Sequence, residues 1–159
     1  MKKPSNEMLD AVYGSKCHCT LLRKASRRVS KLYDVAMAPS GLKITQRAIL
    51  SQIGRAGAVT VGKLADSLVM DPGALAHTLK PLERDGFIMT ATDPLDRRSR
   101  LISLTEAGQA KLSQTDALLD KAQKSFETAI GGVETAALRE ALNLLISDGF
   151  ESSFEAALV

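Results

Sequence analysis

Cys17, His18 and Cys19 form the densest group of reactive side chains in this 159-residue chain. Thiolates and imidazoles bind zinc, and thiolates are also oxidised by peroxides. On a helix, residues two positions apart point about 200° from each other, so the two sulfurs do not converge on one ion. His77, the other histidine, lies in a distant segment. We therefore expect no metal site and no cofactor, and the cysteines are either redox-active or structural.

A second group of reactive side chains is a run of arginines. Arg97, Arg98 and Arg100 follow the turn-forming sequence Asp93-Pro-Leu-Asp96. Residues 87–92 and 100–104 are short segments rich in apolar and β-branched residues on either side of this turn, which predicts two strands joined by the loop. The sequence thus indicates a hairpin whose tip can contact phosphate or enter a minor groove.

Two short helices precede the hairpin. Thr60 is a suitable N-cap for a helix over 61–68. Asp71 followed by proline starts a second helix, and glycine at position 86 ends it. Helical spacing turns three leucines inward: Leu75, Leu79 and Leu82. Thr105 caps a further helix after the hairpin, so the block is a winged helix-turn-helix and points to DNA.

Long amphipathic helices flank this block. We predict helices over 6–37, from Thr45 to about residue 54, over 105–130 and over 133–146, with breaks at Pro39-Ser-Gly41 and Gly131-Gly132. The terminal helices carry apolar stripes that a small winged unit cannot cover, so we expect a homodimer. The predicted fold is mainly α with a small β-hairpin wing. Residues 43–108 form the DNA-binding domain, and residues 1–42 and 109–159 the dimerisation helices.

Composition narrows the class of protein. No apolar run is long enough for a membrane span, and two closely spaced cysteines fit a reducing cytoplasm. Residues 107–159 carry four basic and eight acidic side chains, whereas residues 1–42 carry eight basic and three acidic. An acidic C-terminal third is not expected on DNA. The sequence has no phosphate loop, nucleophile elbow or distinctive carboxylate pair, so we expect no enzyme.

The wing block resembles a known family. Residues 93–108, Asp-Pro-Leu-Asp-Arg-Arg-Ser-Arg-Leu-Ile-Ser-Leu-Thr-Glu-Ala-Gly, are similar to the wing and following helix of the multiple antibiotic resistance regulator (MarR) family. Residues 82–88 resemble its recognition-helix exit, and the resemblance extends from about Cys19 to Ile146. It implies a transcriptional regulator, a repressor, that binds a pseudo-palindromic duplex as a homodimer. A winged-helix protein-interaction module is the alternative that needs no DNA.

Helix-turn-helix docking and the resemblance together select the DNA-contacting residues. In the recognition helix they are Asp71, Gly73, Ala74, His77, Thr78 and Lys80, with Lys80 on phosphate and His77 either a base reader or a solvated histidine. Family members often carry Ser-Thr in place of Gly73-Ala74, and arginine in place of Thr78. In the wing, Arg98 corresponds to the minor-groove arginine, while Arg97 and Arg100 are either contacts or solvated strand ends. Thr45, Gln46 and Arg47 open another helix and are candidates for phosphate contacts.

Release from DNA has two candidate mechanisms. The resemblance implies a small aromatic or phenolic acid effector, whose carboxylate Arg23, Arg27 or Arg47 can receive. The sequence from Cys19 to Arg27 also resembles the reactive-cysteine helix of the family's organic-hydroperoxide-sensing branch. Tyr33 matches one tyrosine of that branch, and Arg23 replaces the other. Cys19, with Cys17 nearby, is therefore the redox candidate.

Overall fold

The computed structural model describes residues 16–159, and helices dominate it. The elements are α1 (His18–Met37), a 3₁₀ turn (Ala38–Ser40), α2 (Ile44–Ala56), β1 (Val59–Thr60), α3 (Val61–Leu68), α4 (Pro72–Arg84), β2 (Ile88–Thr92), β3 (Arg100–Leu104), α5 (Glu106–Gln114), α6 (Asp116–Ile130), α7 (Gly132–Leu145) and α8 (Asp148–Ala156). The predicted fold class, mainly α with a small wing, is confirmed. None of the helices in this described range could span a membrane.

The helix-turn-helix forms through the caps that the sequence predicts. The Thr60 side chain accepts a hydrogen bond from Lys63 N at 3.3 Å, and Asp71 Oδ1 accepts one from Ala74 N at 2.9 Å. Each satisfies an amide that the first turn leaves without a helical partner. Val69 joins the two helices in the left-handed conformation, with φ at 50°. That conformation is rare for a β-branched residue, so the surrounding contacts hold the turn.

The wing belongs to a three-stranded antiparallel sheet. Strand β3 lies in the centre, and Ile102 faces Val59 of β1 on one side and Thr90 of β2 on the other. The sequence predicts β2 and β3 but not β1, because two residues are too few to show a period. Strand β1 runs directly into α3, so it connects the sheet of the wing to the helix-turn-helix.

The winged unit has one apolar core. Leu75, Leu79 and Leu82 are buried in it, as their spacing predicts. Residues from α2, α3 and the sheet complete it: Ile49, Leu50, Ile53, Leu64, Ala65, Ile88 and Ile102. Leu112 of α5 also packs against this core, so the unit's packing extends beyond residue 108.

Gly108 makes the closest approach in the winged unit. A Cβ added there would lie 1.9 Å from the backbone oxygen of Phe87. That oxygen accepts a hydrogen bond from Thr105 N at 3.1 Å, so it cannot move aside without losing a partner. The glycine therefore allows α5 to begin against the start of β2.

The helices differ from the sequence prediction in three ways: one is divided, one begins earlier and one was not predicted. The predicted helix over 105–130 is two helices that meet at Thr115, whose hydroxyl donates to Leu112 O at 2.6 Å. Helix α2 begins at Ile44, with Lys43 rather than Thr45 as N-cap, because Asp34 Oδ1 accepts from Ile44 N at 2.8 Å. Helix α8 is additional. The first part of the predicted helix over 6–37 lies outside the described residues.

Candidate nucleic-acid interface

A basic groove runs between the first turn of α2 and the exposed side of α4. Its volume is about 700 Å³, and it is lined by Lys43, Thr45, Gln46, His77, Thr78, Lys80, Pro81 and Arg84. No acidic side chain lines it. Three cationic side chains around one open groove suit phosphate, with Lys80 unpaired among the ion pairs of the described residues, Lys43 3.5 Å from Asp34 and Arg84 2.9 Å from Asp85. Five of the residues that the sequence selects meet here: Thr45, Gln46, His77, Thr78 and Lys80.

Helix α4 supplies the exposed side chains of the groove because its leucines face the core. His77 and Lys80 are exposed, and they lie on one helical face with Arg84. Pro81 lies inside α4, where it removes one backbone donor. A hydrogen bond to Asp85 raises the pKa of Arg84, whose Nε lies 2.9 Å from Asp85 Oδ1. Arg84 therefore stays charged beside the groove.

The N-terminal end of α4 is organised around its cap. The Asp71 carboxylate is engaged with Ala74 N, so one of its oxygens serves the helix. A Cβ at Gly73 would lie 3.0 Å from that oxygen, so glycine leaves room for the cap. Ala74 is exposed, and the Thr78 hydroxyl donates to Ala74 O at 3.0 Å. These four residues thus present mainly backbone and apolar surface, with fewer free polar groups than the sequence indicates.

The wing tip is closed by side chains that bind backbone amides. Asp93 Oδ1 accepts from Leu95 N at 2.9 Å, and Asp96 Oδ1 accepts from Arg98 N at 3.0 Å. Asp96 thus holds the turn through an amide. Arg97, Arg98 and Arg100 are exposed, and none of them forms a salt bridge within residues 16–159. Arg97 and Arg98 therefore lie in the closed tip, and Arg100 begins β3 beside it.

Arg47 occupies a different place from the one expected. Its side chain is only 12% exposed, its Nε donates to Thr115 Oγ1 at 2.9 Å, and one terminal nitrogen lies 2.7 Å from Asp116 Oδ1. The guanidinium is thus bound within the chain, at the junction of α5 and α6. This arrangement leaves Arg47 little free surface for a phosphate or an effector. Arg23 and Arg27, the other effector candidates, are exposed one turn apart on α1.

The redox candidates lie along α1. Cys17 is its N-cap and Cys19 lies in its first turn, and both thiols are exposed. The pKa of Cys17 is lowered mainly by a hydrogen bond from the Thr20 amide, and to a smaller extent by one from the Thr20 hydroxyl. The Tyr33 hydroxyl donates to Gln123 Oε1 at 2.9 Å, and burial raises the pKa of Tyr33. The thiol acidified by its surroundings is therefore Cys17, two residues before the expected sensor.

Sequence reasoning misses two residues of the basic groove, Lys43 and Arg84. Lys43 precedes α2, where its amide donates to Oε1 of the expected Gln46 at 2.9 Å. For Arg84 a signal exists. Positions 77, 80 and 84 are separated by three and four residues, which places them on one face of a helix.

Comparisons with known proteins agree with this geometry. The family model described as "MarR family" matches residues 42–99. The chain is 30% identical over 144 residues to the HTH-type transcriptional regulator SarZ of Staphylococcus epidermidis, which covers 90% of this chain and 95% of that protein. It is 34% identical over 90 residues to the organic hydroperoxide resistance transcriptional regulator of Bacillus subtilis, covering 57% of this chain and 61% of that protein.

Solved structures show the same architecture. The transcriptional regulator MosR of Mycobacterium tuberculosis, in complex with DNA, superposes with a TM-score of 0.76 at 27% identity, covering 91% of this chain and all of that one. CouR of Rhodococcus jostii, bound to p-coumaroyl-CoA, superposes with a TM-score of 0.68 at 25% identity, covering 80% of this chain and 90% of that one. The chain belongs to the MarR family of DNA-binding transcriptional regulators.

Proposed function

We propose that this regulator is a repressor that binds a pseudo-palindromic operator as a homodimer and leaves it when an effector binds. The observation that carries the DNA contact is the basic groove between α2 and α4. Helix α4 follows Asp71 and Pro72, as a recognition helix follows its turn, and its exposed face carries His77 and Lys80. The proposed contacts are the groove residues for the major groove and phosphates, and Arg97, Arg98 and Arg100 for the neighbouring minor groove.

A seam on α1 that is apolar except for Arg28 supports the homodimer. Leu21, Ala25, Arg28, Leu32 and Val35 follow one another at alternating steps of four and three residues, which is the spacing of a helix–helix seam. All five are exposed in one chain, and Leu32 and Val35 are 62% and 69% exposed. Leu142 and Leu144 of α7 are further exposed leucines near the C-terminal end. We assign dimerisation to the flanking regions 1–42 and 109–159, and operator contact to residues 43–108.

The wing gives the test of DNA binding. We expect Arg98→Ala to weaken operator binding by about 1–3 kcal/mol, because the wing arginine loses its contact with a groove of high negative potential. The fold should be unchanged, since Arg98 contributes only its amide to the turn. Fluorescence anisotropy on a labelled promoter duplex, read at several salt concentrations, measures the effect.

Lys121→Ala is the matched control, because Lys121 is an exposed cation on α6, away from the groove and the wing. It should leave operator affinity within about twofold, since each non-contacting surface charge has a small effect at physiological salt. Equal losses for the two variants would show that only net charge matters. A wild-type protein that fails to shift any duplex would favour the protein-interaction module instead.

For release we propose a small aromatic acid. Arg23 and Arg27 project from α1 on adjacent turns, and guanidinium groups bind carboxylates with two parallel hydrogen bonds. The similar structure of CouR holds p-coumaroyl-CoA, which supports the phenolic part of this proposal, while the carboxylate contact rests on the two arginines. Ligand bound beside α1 would change the spacing of the two winged units by favouring one dimer geometry.

A second candidate is organic-hydroperoxide sensing, favoured by two exposed thiols on α1 and by the Bacillus subtilis relative. In this reaction the thiolate takes the terminal oxygen of the hydroperoxide, which leaves sulfenic acid on the protein and releases the alcohol. The resemblance assigns this role to Cys19. The lowered pKa of Cys17 makes it the alternative site of attack.

Hydroperoxide treatment separates the two release mechanisms. If Cys19 is the sensor, cumene hydroperoxide should release wild-type protein from the operator, and a thiol reductant should restore binding. Cys19→Ser should bind DNA but ignore the peroxide, and Cys17→Ser should keep the response. The reverse pattern would move the sensor to Cys17. Release by aromatic acids that persists in both serine variants would instead establish the ligand mechanism.

A further inference from the structure

The winged unit connects to the flanking helices at two places. The chain enters it through the 3₁₀ turn after α1 and leaves it at Thr115, between α5 and α6. Outside these connections, α1 and α6 pack together: Tyr33 donates to Gln123, and its ring meets Phe126 edge-on at 6.2 Å. The direction in which α6 leaves the winged unit therefore depends on the junction at Thr115.

Arg47 closes this junction from the side of the winged unit. It lies in the first half of α2, close in sequence to Ile49 and Leu50, which are buried in the core. Its Nε reaches Thr115 Oγ1, which is fully buried and itself donates to Leu112 O. A terminal nitrogen reaches Asp116, the first residue of α6. One guanidinium thus binds the residue at the break, which is bonded to α5 through Leu112 O, and the first residue of α6.

The geometry of a guanidinium explains why this contact fixes an angle. Its donors lie in one plane, so two acceptors held at once define the orientation of the group. Thr115 caps both helices, as the C-cap of α5 and the N-cap of α6, and its hydroxyl ties it to Leu112 of α5, whereas Asp116 is the first residue of α6. Any rotation of α6 about the break changes the distance to one acceptor relative to the other. A lysine, with one ammonium on a flexible stem, would not impose this restriction.

We propose that Arg47 is a positioning residue that sets the angle between the winged unit and α6, and hence the half-site spacing that the dimer accepts. The inference rests on the proposed binding of two half-sites by a homodimer. In such a dimer the two recognition helices must meet grooves at a fixed separation, and α6 leads into the helices that join the subunits. Arg47 acts through the junction and contacts neither DNA nor effector.

The test compares duplexes that differ only in half-site spacing. Wild type, Arg47→Met and Arg47→Lys are titrated with the mapped operator, with versions one or two base pairs shorter or longer, and with a single half-site. Wild type should lose about 10²-fold in affinity on an incorrectly spaced duplex, because the second half-site no longer binds within the same complex. Arg47→Met should reduce that penalty about tenfold and leave half-site affinity unchanged. Arg47→Lys should fall between the two.

Arg55→Met is the matched control, because Arg55 is an exposed arginine of the same helix that bonds only to Gln52 within the described residues. It should keep the wild-type spacing preference. Should Arg47→Met not fold, Asp116→Ala removes one acceptor at an exposed position, 62% accessible, and should also reduce the penalty.

Three outcomes would overturn the inference. An unchanged spacing penalty in Arg47→Met and Asp116→Ala would show that the junction is set elsewhere. A uniform loss on every duplex, the half-site included, would make Arg47 a DNA ligand or a purely structural residue. A wild-type protein indifferent to spacing, yet bound to the half-site, would contradict the proposed two-site binding and this inference with it.

Discussion

Gly108→Ala is expected to lower the free energy of unfolding by about 3 kcal/mol, the upper range for forcing an extra methyl into a packed site. The new Cβ would meet the Phe87 oxygen at 1.9 Å and the Phe87 carbonyl carbon at 2.9 Å. Relief requires α5 to move away from β2, which breaks the hydrogen bond from Thr105 N to that oxygen. Urea unfolding followed by circular dichroism measures the loss.

The predicted loss of stability at Gly108 is opposite in sign to the usual effect of replacing a helical glycine with alanine. In an open helical position, glycine to alanine stabilises by up to about 1 kcal/mol, because alanine loses less backbone entropy on folding. Gly62 in α3 provides that position, since nothing lies within 4 Å of a Cβ added there. Gly62→Ala should therefore raise the urea midpoint while Gly108→Ala lowers it. A stabilising Gly108→Ala would mean that α5 does not pack against Phe87.

The second large effect concerns the seam on α1. We expect Leu32→Gln to raise the dimer dissociation constant more than about 100-fold. Burial of one leucine contributes about 1.5–3 kcal/mol, and a two-fold interface contains the residue twice. Leu32 is 62% exposed in the single chain, so the substitution should cost the monomer little. Sedimentation velocity over a concentration series measures the shift, and operator affinity should fall with it.

Lys31→Gln is the control for this substitution, because it introduces the same side chain at the adjacent exposed position. Lys31 lies outside the spacing that joins Leu21, Ala25, Arg28, Leu32 and Val35. It should leave the dimer intact. Two variants with the same dissociation constant as wild type would place the interface on another face.

The sequence predicts the winged unit well because local signals decide it. Thr60 and Asp71 cap their helices as expected, and the three leucines of α4 point inward. The break at Thr115 could not be predicted in this way. The Thr115 hydroxyl there bonds Leu112 O and also accepts from Arg47 of α2, a side chain 68 positions earlier in the chain, and helix periodicity does not encode that contact. The packing that requires Gly108 likewise involves Phe87, a contact that helix periodicity does not encode.

The candidate interface was predictable in part for the same reason. Exposure of His77 and Lys80 follows from helical spacing, and the exposed arginines of the wing follow from the hairpin pattern. Arg47 was assigned to phosphate because it opens a helix, but that argument cannot detect an acceptor on a distant helix. Lys43 was missed because the cap of α2 comes from Asp34 of α1, so the helix begins earlier than its own residues indicate.

The chain enters and leaves the winged unit at neighbouring places, and this bears on how such regulators can be recombined. Lys111 Nζ donates to Ser40 O at 2.8 Å, so α5, which leads to the exit, lies beside the entry of the winged unit. A segment whose ends lie side by side can be exchanged as a cassette, because the host has to bridge only a short gap. Replacing residues 42–115 with those of a relative is therefore expected to exchange the recognition helix and the wing while keeping this chain's own α1, α6, α7 and α8. On the proposal above, a chimera would keep the angle between its winged unit and α6 only if the residues at positions 47, 115 and 116 still bond one another.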